Sequence, residues 1–380
     1  MKQINQRTEM EKAPKKVILP KDVTDSLRNV MFPGTDKDIV SLDMVQEIRI
    51  TGKEVQFSLV FQRSDDPNIG QLVDRCEKAI TEYLGSDVKI GGNIKVKSVH
   101  NMQRPLLPGV KNIIAVASGK GGVGKSTVAV NLAVALARRG LSVGLIDADI
   151  FGPSIPRMFG AEGTKPGGGR IEGRDVIIPV EKFGVKFLSI GFFVAAENAL
   201  IWRGPMASNA LKQLIADGLW GTLDYMIVDL PPGTSDIHLT LVQTVPVTAA
   251  VIVTTPQDVA LADVVKGVSM FQSKSIDVPV LGLIENMSWF TPEELPQNRY
   301  YLFGKDGGKR LADKLGLVLL GQIPLVQGIR EGGDEGVPVA SISNNIIGSA
   351  FSDIAEAVVF QMEKRNSGKA PTTKVHVHRK

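Results

Sequence analysis

The chain has 380 residues, a formal net charge of +4 and one cysteine, Cys76. With 43% hydrophobic and 22% charged residues it has the composition of an ordinary globular protein, which excludes disorder throughout. A single cysteine excludes an intrachain disulfide. Neither a signal-peptide pattern nor an apolar run of ~20 residues occurs, so we expect a cytoplasmic location and no stable membrane association.

The positive charge is concentrated at the C-terminal end, where six basic residues and no acidic residue follow Glu363. Removing these six from the 44 basic residues leaves 38, against 40 acidic residues. A nucleic-acid-binding surface requires clustered basic residues, so no nucleic acid partner is expected. We interpret residues 364–380 as a flexible basic tail, and His376 and His378 within it as tail residues rather than metal ligands.

In chain order, residues 1–20 are polar and aperiodic, which predicts a disordered leader. Residues 21–99 predict a small α/β domain. The stretch "EVQFSLVF" from Glu54 alternates as a half-buried strand does. An apolar stripe at helical spacing follows, formed by Leu72, Val73, Cys76, Ala79, Ile80 and Tyr83. Residues 100–111 contain two prolines without a period and predict a linker.

Residues 112–363 change in character, because the candidate strands become continuous apolar runs. These runs are "IIAVAS", "SVGLIDAD", "YMIVDLPP", "AAVIVTTP" and "VLGLIEN", with helical patterns between them. Runs of this kind are buried on both faces, as in a parallel sheet covered by helices. We therefore predict a doubly wound, mostly parallel α/β domain.

The stretch "GKGGVGKST" begins this domain's first strand-to-helix turn and fits the phosphate-binding P-loop pattern. Its glycines let backbone N–H groups surround an anion, Lys125 reaches the β- and γ-phosphates, and Ser126 binds Mg²⁺. The predicted nucleotide-binding residues are Gly119, Lys120, Gly121, Gly122, Val123, Gly124, Lys125, Ser126 and Thr127.

Acidic residues end two of the later strands, where open α/β sheets place their ligands. Asp147 and Asp149 close "GLIDAD", and Asp229 begins "DLPPGTSD". Asp229 has the form of a Walker B residue for the metal, and Gly233 suits a switch that senses the γ-phosphate. The interpretation that this loop is catalytically inactive is disfavoured, because none of the acidic residues expected in a hydrolytic site is missing.

A second lysine in the loop, Lys120, resembles the deviant Walker A lysine of the MinD/ParA and nitrogenase iron-protein class. That resemblance implies a homodimer closed around two nucleotides, in which Lys120 reaches the nucleotide of the facing subunit. It also implies that Asp149 orients the attacking water and that Asp147, with Ser126 and Asp229, supports Mg²⁺. The catalytic residues predicted in this way are Lys120, Lys125 and Asp149.

Further motifs are similar to those of the Mrp/ApbC family of iron–sulfur cluster carrier ATPases. They are "WRGPM" (Trp202 to Met206), "DLPPGTSD", "TTPQDVALADV", "ENMSWF" and "GQIPLVQGIREGGDEGVPV". The small domain, with "PGTDKDIVSLDMV", is similar to one that many bacterial members carry. The resemblance implies that Asn286 recognises adenine and that the nucleotide is ATP, where residue types alone indicate only a purine triphosphate.

One departure from the family is the absence of a C-x-x-C pair after "ENM", where members bridge two subunits with a [4Fe–4S] cluster. Cluster iron requires thiolates, and a dimer of this chain has only two, both at Cys76. Cys76 lies on an apolar stripe, which favours a buried structural role. Of the other candidates, His238 is expected to pack or cap, and the aromatic cluster that flanks the missing pair is expected to form an interface or core patch. This cluster comprises Trp289, Phe290, Tyr300 and Tyr301.

The sequence thus indicates an ATP-binding and ATP-hydrolysing carrier or assembly factor that delivers iron–sulfur clusters to apoproteins and works with assembly factors. The alternative is an ATP-dependent dimerisation switch or scaffold that binds partners without carrying a cluster. The [4Fe–4S] cluster itself is implied by the resemblance alone, and its ligands are unknown from the sequence.

Overall fold

The computed structural model describes residues 18–63, 66–100, 106–150, 152–171, 174–193, 204–292, 294–295, 297–342 and 346–375. Five groups of predicted residues lie outside the described residues: 1–17 of the leader, 101–105 of the linker, Trp202, His376 and His378. The chain divides into two compact units, Met1–Arg104 and Pro105–Lys380.

The first unit is a three-stranded sheet covered by helices. Its elements are α1 (Pro20–Leu27), β1 (Val45–Thr51), β2 (Glu54–Arg63), α2 (Ile69–Leu84) and β3 (Ile94–His100). The strand order is β1-β2-β3, with β1 antiparallel and β3 parallel to β2. Val55, Phe57, Leu59 and Phe61 lie in the core as predicted. Ser58 and Val60 on the opposite side of the strand are also buried, so β2 is more deeply buried than the predicted half-buried strand.

Helix α2 buries the stripe expected of it, with one exception. Leu72, Cys76 and Ile80 are buried, whereas Tyr83 is 52% exposed. The buried row advances by four residues and continues to Leu84, which packs against the core. Tyr83 lies one residue before the end of α2, where Leu84 continues the packed row in its place.

The second unit is built on an eight-stranded sheet of order β13-β12-β11-β4-β10-β5-β9-β8. Its five central strands, each formed by one of the predicted apolar runs, are β4 (Val110–Ser118), β5 (Val143–Asp147), β10 (Leu223–Asp229), β11 (Ala249–Thr254) and β12 (Val280–Glu285). The outer strands are β8 (Val180–Lys182), β9 (Val185–Ser189) and β13 (Leu319–Gln322), and a separate hairpin joins β6 (Gly167–Ile171) to β7 (Arg174–Ile178). All neighbours in the large sheet are parallel except β8, which is antiparallel to β9.

Helices cover both faces of this sheet. One face packs against α3 (Lys125–Arg138) and α10 (Ile346–Gly368), and the other packs against α5 (Gly204–Asp217), α6 (Asp236–Thr244), α7 (Asp258–Phe271) and α8 (Gly307–Leu315). The remaining helices are the short α4 (Ile155–Met158) and α9 (Gln327–Glu335). Alternate residues of β4 enter opposite layers, Ile114 one core and Ile113 the other. The predicted doubly wound, mostly parallel fold is therefore confirmed.

The C-terminal end differs from the expected flexible tail beginning at residue 364. Helix α10 continues through Gly368, and the segment after it is bound to the domain. The Val375 N–H donates to the carbonyl of Val242 at 3.0 Å, and Val375 packs against the core. A count of charges does not show this, because the segment is bound to the domain through backbone groups, the Thr372 hydroxyl and Val375.

Among the described residues, no helix is both long enough and apolar enough to cross a bilayer.

Candidate functional site: a phosphate-binding loop with buried acids

The glycine-rich loop lies where sequence places it, between the carboxyl end of β4 and the first turn of α3. Gly122 and Gly124 have φ of +83° and +80°, a left-handed conformation that glycine adopts without strain. These two residues turn the backbone so that consecutive amides line a concave surface.

Gly119 has a different role that its motif does not reveal. A Cβ atom on Gly119 would lie 2.4 Å from the backbone carbonyl carbon of Asp263 in α7. The loop and α7 therefore pack backbone to backbone, and only glycine fits this approach. At Gly121, by contrast, the nearest atom to such a Cβ is Pro232 Cγ at 3.8 Å.

The loop lysine Lys125 is at the centre of a buried polar network. Its Nζ donates to Asp229 Oδ1 at 2.7 Å and lies 3.7 Å from Asp149 Oδ2. The Ser126 hydroxyl donates to the second oxygen of Asp229 at 2.5 Å. One carboxylate thus holds both loop residues that were assigned to phosphate and metal.

The acids meet because β10 lies between β4 and β5. Asp229 is aligned with Asp147 in the register of β10 and β5. Both carboxyl groups are fully buried. Burial, and then the neighbouring Asp229 carboxylate, raise the pKa of Asp147 to about 8. Burial also raises the pKa of Asp229, although Lys125 opposes this rise.

Ser189 is a site residue that the sequence did not indicate. It ends β9, is fully buried, and donates its hydroxyl to Asp147 Oδ2 at 2.8 Å. It accepts a hydrogen bond in turn from the backbone N–H of Gly191 at 2.9 Å. The Asp149 N–H donates to the other Asp147 oxygen at 3.2 Å. The Asp147 side chain is therefore fixed from two directions.

Asp149 and Lys120 have side-chain atoms that no described residue engages. The Oδ1 atom of Asp149 is buried and has no hydrogen-bond partner. Lys120 is exposed, and none of the described carboxylates forms an ion pair with its ammonium group. A buried acceptor without a donor is costly, so Asp149 Oδ1 fits a site that takes up a donor such as water.

Asn286 lies beside the loop. Its Nδ2 atom donates to the Val123 carbonyl at 2.8 Å, and a Cβ on Gly124 would lie 2.3 Å from Nδ2. Asn286 also lines a cavity of about 460 Å³ whose other walls include Thr127, Pro324 and Leu325. This cavity is within the usual volume range of small-molecule sites and opens directly onto the phosphate-binding loop.

The predicted switch after Asp229 is tied to the loop strand. Gly233 has a φ of +77° and donates its N–H to the Ser118 carbonyl at 2.8 Å. His238 accepts the Ser235 N–H at its Nδ1 atom at 3.2 Å at the start of α6. Burial lowers the pKa of His238 to about 4. His238 is a buried neutral cap, as predicted.

The position of the absent C-x-x-C pair is occupied by an aromatic hairpin, whose described residues are 289–292, 294–295 and 297–302. Phe290 and Tyr300 bond to each other through their backbones at 2.8 Å in both directions. Arg299 lies over the Trp289 ring at 4.3 Å, and Tyr300 and Tyr301 are exposed. The hairpin is a surface patch rather than part of the core.

Cys76 is buried, and burial raises the pKa of its thiol to about 12. The thiol is therefore protonated near neutral pH, whereas cluster iron binds thiolate. No group of three or more histidine, cysteine or acidic side chains suited to a metal ion occurs in the part of the chain that the structure describes.

Together, a phosphate-binding loop, a lysine on a Walker B carboxylate and acids at the carboxyl edge of a parallel sheet define a P-loop NTPase. Residues 109–359 match the family model described as "NUBPL iron-transfer P-loop NTPase", and residues 20–90 match the model described as "Iron-sulfur cluster assembly protein". The chain belongs to the family of iron-transfer P-loop NTPases.

Similar proteins agree with this assignment. The chain is 44% identical to the iron-sulfur cluster carrier protein of Synechocystis over 87% of this chain and 94% of that protein. It is 41% identical to the Escherichia coli K12 protein of the same name, over 90% and 91%. Among solved structures, the nucleotide-binding protein of Archaeoglobus fulgidus in complex with ADP has a TM-score of 0.53 at 37% identity, covering 61% of this chain and 89% of that chain.

Proposed function

We propose that this protein is an ATP-hydrolysing iron–sulfur cluster carrier or assembly factor that delivers clusters to apoproteins. The observation on which the proposal depends is the buried network in which Asp229 holds both Lys125 and Ser126. The names of the similar proteins and the matches of both units to iron–sulfur families support the cargo.

The residues present fit ATP and Mg²⁺. The loop amides and Lys125 would take the β- and γ-phosphates, because backbone N–H groups and an ammonium group are the donors that phosphate oxygens require. Ser126, Asp147 and Asp229 supply the oxygen ligands that Mg²⁺ prefers, and the ion would neutralise phosphate charge. Asp149 would orient the attacking water through its unpartnered oxygen.

Adenine would occupy the cavity beside the loop. The hydrogen bond from the Asn286 amide nitrogen to Val123 holds this side chain beside the loop, and its carbonyl oxygen would accept the adenine amino group. The wall formed by Pro324 and Leu325 would cover the base with apolar surface. This cavity supports ATP as the nucleotide.

Two copies of the chain would close around two nucleotides. Lys120 is exposed and has no carboxylate partner among the described residues, so it is available to a nucleotide on a facing subunit. A cation introduced from outside in this way neutralises transition-state charge as an arginine finger does. We also propose that the chain acts as a homodimer, that apo iron–sulfur proteins are its clients and that it acts in the cytoplasm.

This chain differs from the family it resembles in the cysteine ligands that would hold the cluster. A homodimer contributes two Cys76 thiols, each buried and protonated, and so cannot supply the four thiolates of a conventional bridging cluster. The second candidate function is therefore an ATP-dependent dimerisation switch or scaffold that binds partners of the assembly pathway without holding the cluster itself.

Anaerobic reconstitution with iron and sulfide separates the two functions. For wild type and Cys76→Ser side by side, the carrier predicts stoichiometric cluster absorbance in wild type. Because Cys76→Ser leaves the chain without cysteine, absorbance that persists in this variant would mean that groups other than thiolates hold the cluster. Absence of absorbance from both proteins, together with retained ATP hydrolysis and capture of apo iron–sulfur clients, would favour the scaffold. Loss of absorbance in Cys76→Ser alone would contradict the structural role of Cys76.

A further inference from the structure

The basic C-terminal segment, which the sequence suggests is a solvated tail, forms one wall of a cavity of about 390 Å³. The opposite wall is residues 274–279, the loop between α7 and β12. This space is termed the basic cavity below.

The C-terminal wall of the basic cavity is held in place by defined hydrogen bonds. Arg365 Nη2 donates to the Ala370 carbonyl at 2.8 Å, and Thr372 Oγ1 donates to the Pro246 carbonyl at 3.3 Å. The Val375 N–H is bound to Val242. These contacts extend along the whole segment from the end of α10. The backbone that carries its basic side chains is therefore fixed relative to the cavity.

The lining of the cavity is strongly cationic. It includes Lys274, Arg365, Lys369 and Lys374, and Asp277 is the only acid among the lining residues. The Nε atom of Arg365 is buried and has no hydrogen-bond partner. Burial lowers the pKa of the Arg365 guanidinium, as expected for a cation that lacks a compensating anion.

A helix dipole does not account for this arrangement. Cations such as Arg365 and Lys369 are favourable near the C-terminus of a helix such as α10. Lys274, however, comes from a different element and faces the same cavity. The buried Arg365 Nε–H, which has no acceptor, is a donor suited to an oxygen atom of a ligand.

The basic cavity lies far from the nucleotide. Its walls adjoin the amino ends of the strands, since residues 274–279 precede β12, whereas the P-loop lies at the carboxyl end of β4. Strands of five or six residues separate the two edges by roughly 20 Å. A ligand bound there cannot touch the phosphates of ATP.

We propose that the basic cavity binds a small phosphate-bearing anion. Its volume is in the range of small-ligand sites and well below that of a protein interface. Lysines act as point charges for phosphate oxygens, and an arginine N–H adds a directed, charge-assisted hydrogen bond. The phosphate is carried either by a free small molecule or by a lipid headgroup.

Pyrophosphate is a suitable probe, titrated calorimetrically into protein saturated with Mg²⁺ and a non-hydrolysable ATP analogue, which occupies the P-loop. We expect saturable binding by wild type, and binding at least about tenfold weaker in Arg365→Gln and in the double variant Lys274→Gln/Lys369→Gln. The matched control Lys309→Gln/Lys314→Gln removes two exposed charges from α8, and its binding should equal that of wild type.

Sedimentation with phosphatidylglycerol vesicles, compared with phosphatidylcholine vesicles, distinguishes the two sources of phosphate. Binding of pyrophosphate alone indicates a free ligand, and binding of anionic vesicles that the cavity variants lose indicates a headgroup. No saturable binding of either probe by wild type, or equal weakening in the α8 control, would overturn the proposal. Neither result depends on ATP hydrolysis, so failure of the proposed function would be seen separately.

Discussion

Substitution Lys125→Ala tests whether one lysine both stabilises the buried acids and serves the nucleotide. The side chains of Lys125 and Asp229 are 6% and 0% exposed and their charged atoms lie 2.7 Å apart. At an effective dielectric constant of about 20, two charges at this separation attract by about 6 kcal/mol before desolvation is counted. Removal of one partner from a buried pair typically costs about 3–5 kcal/mol, and protonation of the remaining acid limits that cost.

The matched variant is Lys125→Ala/Asp229→Asn, which removes the isolated acid as well. We expect Lys125→Ala to lower the unfolding free energy of the second unit by about 3–5 kcal/mol, and the double variant to recover about 2 kcal/mol of this loss. ATP turnover should be abolished in both. Equilibrium urea unfolding followed by tryptophan fluorescence reports on this unit alone, because all three tryptophans lie in it: Trp202, Trp220 and Trp289.

Two results would refute this reasoning in different ways. Unchanged ATP turnover in Lys125→Ala would mean that the loop is not the hydrolytic site. An unfolding midpoint unaffected by Lys125→Ala, or a double variant less stable than the single one, would mean that the pair does not stabilise the fold.

Three further predictions concern the same site. The pKa of Asp147, about 8 and above its ordinary value of 3.8, means that the folded state keeps a proton that the unfolded state releases. The unfolding free energy should therefore fall as pH rises between about pH 4 and 8, by up to about 1.4 kcal/mol per pH unit, and Asp147→Asn should flatten this slope in urea titrations. Ser189→Ala should lower the unfolding free energy by about 1–3 kcal/mol and raise the Mg²⁺ concentration needed for half-maximal ATP turnover. An unchanged Mg²⁺ requirement would contradict the role of Ser189 in positioning Asp147. Gly119→Ala should lower the thermal unfolding midpoint, because the added Cβ would collide with the backbone of Asp263. Gly121→Ala should leave the midpoint unchanged, because the atom nearest to its added Cβ is 3.8 Å away. Equal midpoints for the two variants would contradict the close packing of Gly119 against α7.

The sequence predicts the parts of this protein that follow from local pattern. Continuous apolar runs gave the central strands, because a strand buried on both faces admits few polar residues. One of the helical patterns expected between these runs, the stretch "DVALADVVKGVSMF", coincides with α7, Asp258–Phe271. The P-loop and the acids were visible because each directly follows such a strand.

The sequence did not reveal features that depend on distant partners. Ser189 contacts Asp147 only because β9 pairs with β5, and no spacing in the chain indicates this pairing. The restriction on Gly119 comes from α7, more than a hundred residues later. Charge is the only signal in the C-terminal segment and predicts a tail, whereas the contacts that bind the segment come from its backbone, the Thr372 hydroxyl and Val375.

The interleaved order of the sheet has a consequence during synthesis of the chain. Strand β10 inserts between β4 and β5, and Lys125 meets Asp229 across 104 positions of sequence. A nascent polypeptide that has exposed the glycine loop and the β5 acids still lacks the carboxylate that completes them. The glycine loop and both acids therefore come together only after β10 has been synthesised, so the complete site is a property of the folded second unit and not of the segment that ends at β5.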